Sequence, residues 1–185
     1  MSVQSNPFEQ FPARVEIQES TTPQGERQSL AYVRQSNYFA VHFQQSFQSL
    51  LPVSRIASEA VLTLEERIAI FRGSPDTHRS IATQPAAISA VYALEPGGSI
   101  AVPTGQVFLR LVDGVPIETH QTLIQQAGYQ VSQILVYAPN AAWLRPQSGE
   151  IADALRLLPR LEAIDSVEVV EPQMVMGRSK RELEG

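Results

Sequence analysis

The chain has 185 residues and a mass of 20.4 kDa, enough for one medium domain or two small ones with cores that need neither a disulfide framework nor a structural metal. Its 43% hydrophobic and 18% charged residues are a globular composition, while a net charge of −5 and a pI near 5.2 argue against a nucleic-acid partner, which demands surplus Lys and Arg. Zero cysteines exclude thiol nucleophiles, Cys–zinc sites, iron–sulfur clusters and disulfides, and His42, His78 and His120 stand too far apart for a histidine-built metal site; no cofactor or metal is expected.

The start, MSVQSNPFEQF, lacks a basic stretch followed by an apolar one, and no apolar run is long enough to cross a membrane. A soluble cytoplasmic protein without membrane contact is expected. Residues 1–26, rich in Pro, Gln, Ser and Thr, read as a flexible segment with one alternating run, Ala13 to Ile17, as an edge strand. From Gln28 the pattern is β-like, and Gln35-Ser-Asn37 before Tyr38 to Phe43 reads as the turn of a hairpin. A short helix is expected near 44–51. Thr63 and Glu66 have capping-box spacing, but the β-branched run ending at Gly73 favours a strand over 66–72.

The second half is more regular. Gln106 to Val112 is a strand closed by Asp113-Gly114; Pro116 then opens a helix of about three turns, with its stripe at Ile117, His120, Leu123, Ile124 and Ala127 and a stop at Gly128. Tyr129 to Val136 is a strand, Tyr137 to Asn140 a turn, and Ala141 to Arg145 a third strand. Ser148 caps a helix striped by Ile151, Ala154, Leu155 and Leu158, and Pro159 ends or kinks it. Val167 to Val170 is the fourth strand. The order β-α-β-β-α-β predicts an α+β fold of the ferredoxin-like, split βαβ kind over 104–173. Ala87 to Pro96 also matches Ala163 to Pro172 at five of ten positions without a gap, so 27–96 reads as a related, degenerate α+β unit, with 97–103 as linker and 174–185 as C-terminal tail.

Val102 to Leu111, Ala127-Gly-Tyr129, Tyr137 to Arg145 and Leu161 to Pro172 together resemble the propeptides of subtilisin-like serine proteases, most of all those of cyanobacterial subtilases. The likeness covers 102–173 well and 28–96 thinly. It implies a non-enzymatic protein that binds a subtilisin-like serine protease as inhibitor or folding chaperone through the segment after the fourth strand, here Glu171, Pro172, Gln173, Met174, Val175 and Met176. An extended segment suits a protease cleft because substrate-like chains bind by strand addition. No subtilase domain follows within the 185 residues. The alternative reading is a structural or regulatory protein-interaction module, self-associating and without a protease partner. The first and last strands carry apolar residues on both faces, Val107, Leu109 and Leu111 opposite Phe108 and Val112, so both sheet faces are expected to be covered.

Other candidates have plainer explanations. His120 lies on an apolar helix stripe and reads as a partly buried structural histidine, and Trp143 reads as core. Glu65 and Glu66, as strand neighbours, would point to opposite faces and share no proton. The pair Lys180-Arg181 reads as part of a solvated, mixed-charge tail.

Overall fold

The computed structural model describes residues 8–21, 25, 27–46, 58–78 and 86–179. It is an α+β protein whose strand pairings are mostly antiparallel, and the chain divides into unit 1, Met1–Pro12 with Pro103–Met174, and unit 2, Ala13–Val102 with Val175–Gly185. Two strands, β6 (Ser99–Leu111) and β9 (Val167–Ser179), pass from one unit into the other along the chain.

Unit 2 is built around one long strand. β1 (Arg14–Thr21) lies antiparallel to the first half of β2 (Arg27–Phe43), and β4 (Ile68–Arg72) to its second half, while β5 (Ala86–Glu95) follows its other edge. β3 (Leu62–Leu64) completes a hairpin with β4. After Pro96-Gly97-Gly98 the chain returns as β6 (Ser99–Leu111), whose Ile100 and Ala101 pair with Ala93 and Tyr92. One apolar face of these strands, with Tyr38, Ala40, Ile68, Ile70, Val91, Ala93, Ile100 and Val102, forms a core joined by Leu62 and Val175. The other face, with Phe39, Val41 and Phe71, is buried as well. A side chain at Gly177, near the end of β9 (Val167–Ser179), would start 3.1 Å from Leu62 and 3.2 Å from Leu64. Glycine is therefore what lets β9 lie against β3.

The expected hairpin at Gln35 to Asn37 is corrected to a bulge within β2. Residues 36–38 fall between the pairs Gln35↔Val91 and Phe39↔Ala90, and the strand continues. A tight reversal needs residues that take positive φ cheaply, and this triplet holds no glycine, so the polar residues are absorbed as extra length in one strand. The expected linker, 97–103, is corrected in the same way: its glycines make the hairpin turn, and Ile100, Ala101 and Val102 are fully buried strand residues. In the N-terminal segment, Phe8 and Phe11 are buried and 14–21 is strand throughout. The helix expected at 44–51 lies mostly outside the described residues, as does Lys180-Arg181. The two matched decamers differ in structure: Ala87 to Glu95 is all strand, whereas Ala163 to Ser166 is turn and only the rest lies in β9.

Unit 1 takes the second half of β6 as a central strand. Its Val107 to Arg110 pair antiparallel with Leu144 to Ala141 of β8 (Ala138–Pro146), and β8 forms a hairpin with β7 (Tyr129–Leu135). On the other side of β6 lies β9. The Val112 N–H donates to Ser166 O at 2.9 Å, Arg110 binds Glu168 and Thr104 binds Gln173, contacts whose opposite progression makes this pair antiparallel. The strand order is β9-β6-β8-β7. Between β6 and β7 a 3₁₀ turn, Ile117–His120, leads into helix α1 (Gln121–Gln126); between β8 and β9 run α2 (Ile151–Arg156) and α3 (Leu158–Glu162). Pro159 thus sits in the first turn of a new helix, where its missing N–H costs nothing.

Val107, Leu109, Leu111, Ala142 and Leu144 on the strands and Ile117, Ile124, Leu155, Leu158 and Leu161 on the helical segments are all buried, the apolar stripes read from the sequence. Ser148 serves α2 at one remove: it accepts the Glu150 N–H at 3.2 Å and donates to the Asp153 carboxylate at 2.7 Å. Those hydroxyl bonds, followed by the Arg156 guanidinium, hold the Asp153 carboxyl below its usual range. Tyr129 is buried with its hydroxyl donated to Ala154 O at 2.9 Å, and burial pushes the phenol well up. Gly128 takes φ +97°, ending α1 as expected.

Candidate functional site

The six residues Glu171 to Met176 do not form a free tail. They lie within β9, bonded to β6: Thr104 Oγ1 donates to the Gln173 side-chain oxygen at 2.8 Å and accepts the Gln106 N–H at 3.2 Å. Pro172 is buried, Gln173 and Met174 are half-buried, and Val175 packs against the unit 2 core. Glu171 is exposed and Met176 is 42% exposed. Within unit 1, β9 pairs with β6 and with no other strand among the described residues.

The sheet face opposite the helices is partly open. Phe108 and Trp143 are directly paired, half-buried, and meet edge-on with ring centroids 5.5 Å apart. Beside them Arg110 Nε donates to Glu168 at 2.9 Å, and Val112 is exposed. Full cover of this face is therefore corrected to partial cover, and Trp143 from core to half-buried. The reason is Arg110: its charge stays in water by ion-pairing across the strands, and that keeps the face wet around it.

The structure also brings together pairs that the sequence separates. His42 Nε2 and Ser89 Oγ are 2.8 Å apart, and Ser89 is fully buried. Burial lowers the His42 pKa to about 4. The serine hydroxyl also lies 3.1 Å from Ala90 O, and which member of the His42–Ser89 pair donates depends on the imidazole tautomer. A nucleophile has to meet its substrate, and full burial keeps the Ser89 hydroxyl out of reach of one. His78 packs at a tilt against Phe39 and Phe71, with centroids 5.5 and 5.3 Å away. His120, half-buried, lies 3.0 Å from Ser166 Oγ and 2.9 Å from Thr119 Oγ1. Each histidine thus has a structural setting. No family model, curated protein or solved structure matches this chain. Among the described residues no group of three or more His, Asp or Glu could hold a metal ion, and no helix is long and apolar enough to cross a membrane.

Two features escaped the sequence reading. Glu65 and Glu66 occupy the β3–β4 turn, both at positive φ, not a strand or a helix start. The β7–β8 turn is Val136-Tyr137, so Ala138 to Asn140 are strand and not turn. These two turn residues are 97% and 86% exposed. Neither is Gly, Asn or Asp, so turn chemistry pointed to the Pro139-Asn140 pair instead.

Proposed function

We propose that the chain is a non-catalytic protease-binding protein of the subtilase-propeptide type, with unit 1 a ferredoxin-like, split βαβ domain. The observation that carries this reading is the strand order β9-β6-β8-β7 with a helical segment in each crossover. β6 and β7, both antiparallel to β8, are a parallel pair split by it. This is the arrangement that the resemblance to subtilase propeptides implies. The partner-binding residues are Glu171 to Met176, and strand addition is along Glu171 to Met174, on the edge of β9 that faces away from β6. A cleft segment of the protease adds alongside this edge, backbone bonds supplying affinity and the exposed Glu171 and Met176 supplying selectivity. The full burial of Ser89 beside His42 supports a binding role over a hydrolytic one.

Truncation after Val170 would delete a paired strand with a buried Pro172, so substitution at exposed positions is the cleaner test. The intact chain should inhibit a subtilisin-like protease or speed the refolding of one stripped of its propeptide. The double variant Glu171→Arg, Met176→Glu should be weaker by about tenfold or more at an unchanged melting temperature. Neither inhibition nor faster refolding from the intact chain, or equal potency in the double variant, overturns the reading.

A further inference from the structure

Charge is unevenly distributed along unit 1. No Asp, Glu, Lys or Arg occurs between Glu118 and Arg145, in a chain with fourteen basic and nineteen acidic residues. This run contains α1, β7, the Val136-Tyr137 turn and most of β8. β7 is an edge strand, paired with β8 on one side and, among the described residues, with no strand on the other. Monomeric proteins usually blunt such edges with charge, proline or a bulge. β7 has register shifts against β8 but neither charge nor proline, and its Tyr129, Val131 and Ile134 favour strand pairing.

The two ends of this edge are complementary. At one end, Tyr137 projects from a turn, 86% exposed. At the other, Gln121 and Gln125 of α1 and Gln130 and Val131 of β7 line a depression of about 230 Å³, with room for an aromatic ring and amides to bond its hydroxyl. Val131 lies near the start of β7 and Tyr137 past its end at Leu135, so at least about 10 Å of strand separates them. A molecule cannot place its own tyrosine in its own depression.

We propose that unit 1 self-associates through β7. Two copies pair antiparallel about a two-fold axis near Ile134, and each Tyr137 seats in the glutamine-lined depression of the other. Val131 lies near the start of β7 and Tyr137 in the turn beyond its end, so an antiparallel pairing carries the turn of each copy toward the depression of the other. A two-fold contact requires this reciprocity, each patch meeting its own complement. The occupant is a second copy because the knob and the hollow belong to one surface. The run from Thr119 to Leu144 carries no acidic residue, so a chain of net charge −5 meets itself there with little repulsion.

Sedimentation equilibrium of the full chain tests this. The expected result is a reversible dimer of twice the 20.4 kDa chain mass, with a dissociation constant on the order of 10 μM. Tyr137→Ser should weaken it about tenfold or more. Gln133 is exposed on β7, so Gln133→Lys and Gln133→Glu should each give monomers, and mixing the two variants should restore a dimer, while circular dichroism stays that of the wild type. A wild-type chain that remains monomeric up to about 1 mM overturns the proposal. So does a dimer indifferent to Tyr137→Ser, or a mixture that does not re-form.

Discussion

The two units bury their sheets differently. Unit 1 covers one face with helical segments and leaves the other half open, so its strands carry buried and exposed residues in turn, as in Val107, Phe108, Leu109, Arg110 and Leu111. Unit 2 buries both faces of β2, where Tyr38, Phe39, Ala40 and Val41 are all buried in succession. A half-covered sheet announces its register through alternation, whereas a sheet buried on both faces reads as a continuous apolar run. The first kind can still meet a partner through its open face and edges. The second has spent those faces on its own core, and the proposed binding surfaces accordingly lie mainly on unit 1.

The largest effects should come from asking whether the two cores are independent. Ile70 in unit 2 and Leu109 in unit 1 are both fully buried, and truncating either to alanine should cost about 3 kcal/mol in lost transfer energy and residual cavity. Denaturant unfolding followed by hydrogen exchange should show each substitution lowering protection in its own unit. Equal loss in both units from either variant would make the chain one cooperative block.

What could be read from the sequence follows the same division. Pro116, Gly128, the stripe at Ile117, Ile124 and Ala127 and the alternation at Val107 to Leu111 each signal one local structure, and together they fix the element order of unit 1. In unit 2, Gln35 to Asn37 had the polarity of a turn, but no single residue decides between turning back and bulging; pairing with both β4 and β5 decided it. Glu171 to Met176 were legible as an extended segment and as nothing more. Their partner is the stretch of β6 around Pro103, which proline and the nearby glycines disguised as a linker. Backbone pairing between segments some seventy residues apart leaves no periodic trace in either.

A pH difference should sharpen the contrast. His42 is half-buried in unit 2 and neutral at pH 7, with its pKa lowered by desolvation to about 4 from an ordinary 6.5. The unfolded chain takes up a proton as pH falls below 6.5, and the folded unit does not until about 4. Stability is therefore intact above 6.5 and lost progressively down to about 4, by a total on the order of 3 kcal/mol. Urea melts of His42→Gln should lose this part of the acid sensitivity. An unchanged pH profile would show that His42 is not its source.

Glycines in the two units should fail for different reasons. Gly177→Val should cost unit 2 about 2 kcal/mol through crowding, because Leu62 and Leu64 already lie 3.1 and 3.2 Å from where its Cβ would be. Gly128→Ala in unit 1 combines a φ of +97° with Leu157 Cδ1 at 2.8 Å, a cost of about 1–2 kcal/mol that is largely backbone. Trimming Leu62 to alanine should relieve the first defect, while trimming Leu157 should leave most of the second. Thermal melts of the paired variants distinguish crowding from backbone strain.

The smallest effect is a gain, at the β3–β4 turn. Arg67 N–H donates to Leu64 O at 3.2 Å around Glu65 and Glu66, whose φ values of 48° and 56° are those of a type I′ turn. That turn favours Asn-Gly, because a Cβ in the left-handed region costs about 1–2 kcal/mol per residue. Replacing Glu65→Asn and Glu66→Gly relieves both positions, and the added freedom of glycine in the unfolded chain returns about 1 kcal/mol of that gain. The exposed bond from Ser46 Oγ to the Glu66 carboxylate, 3.2 Å long, is lost at little cost. A net stabilisation of unit 2 by about 1 kcal/mol is expected, read as a higher denaturation midpoint at an unchanged slope. A loss of stability would mean that the two glutamates hold the turn through their side chains and not in spite of them.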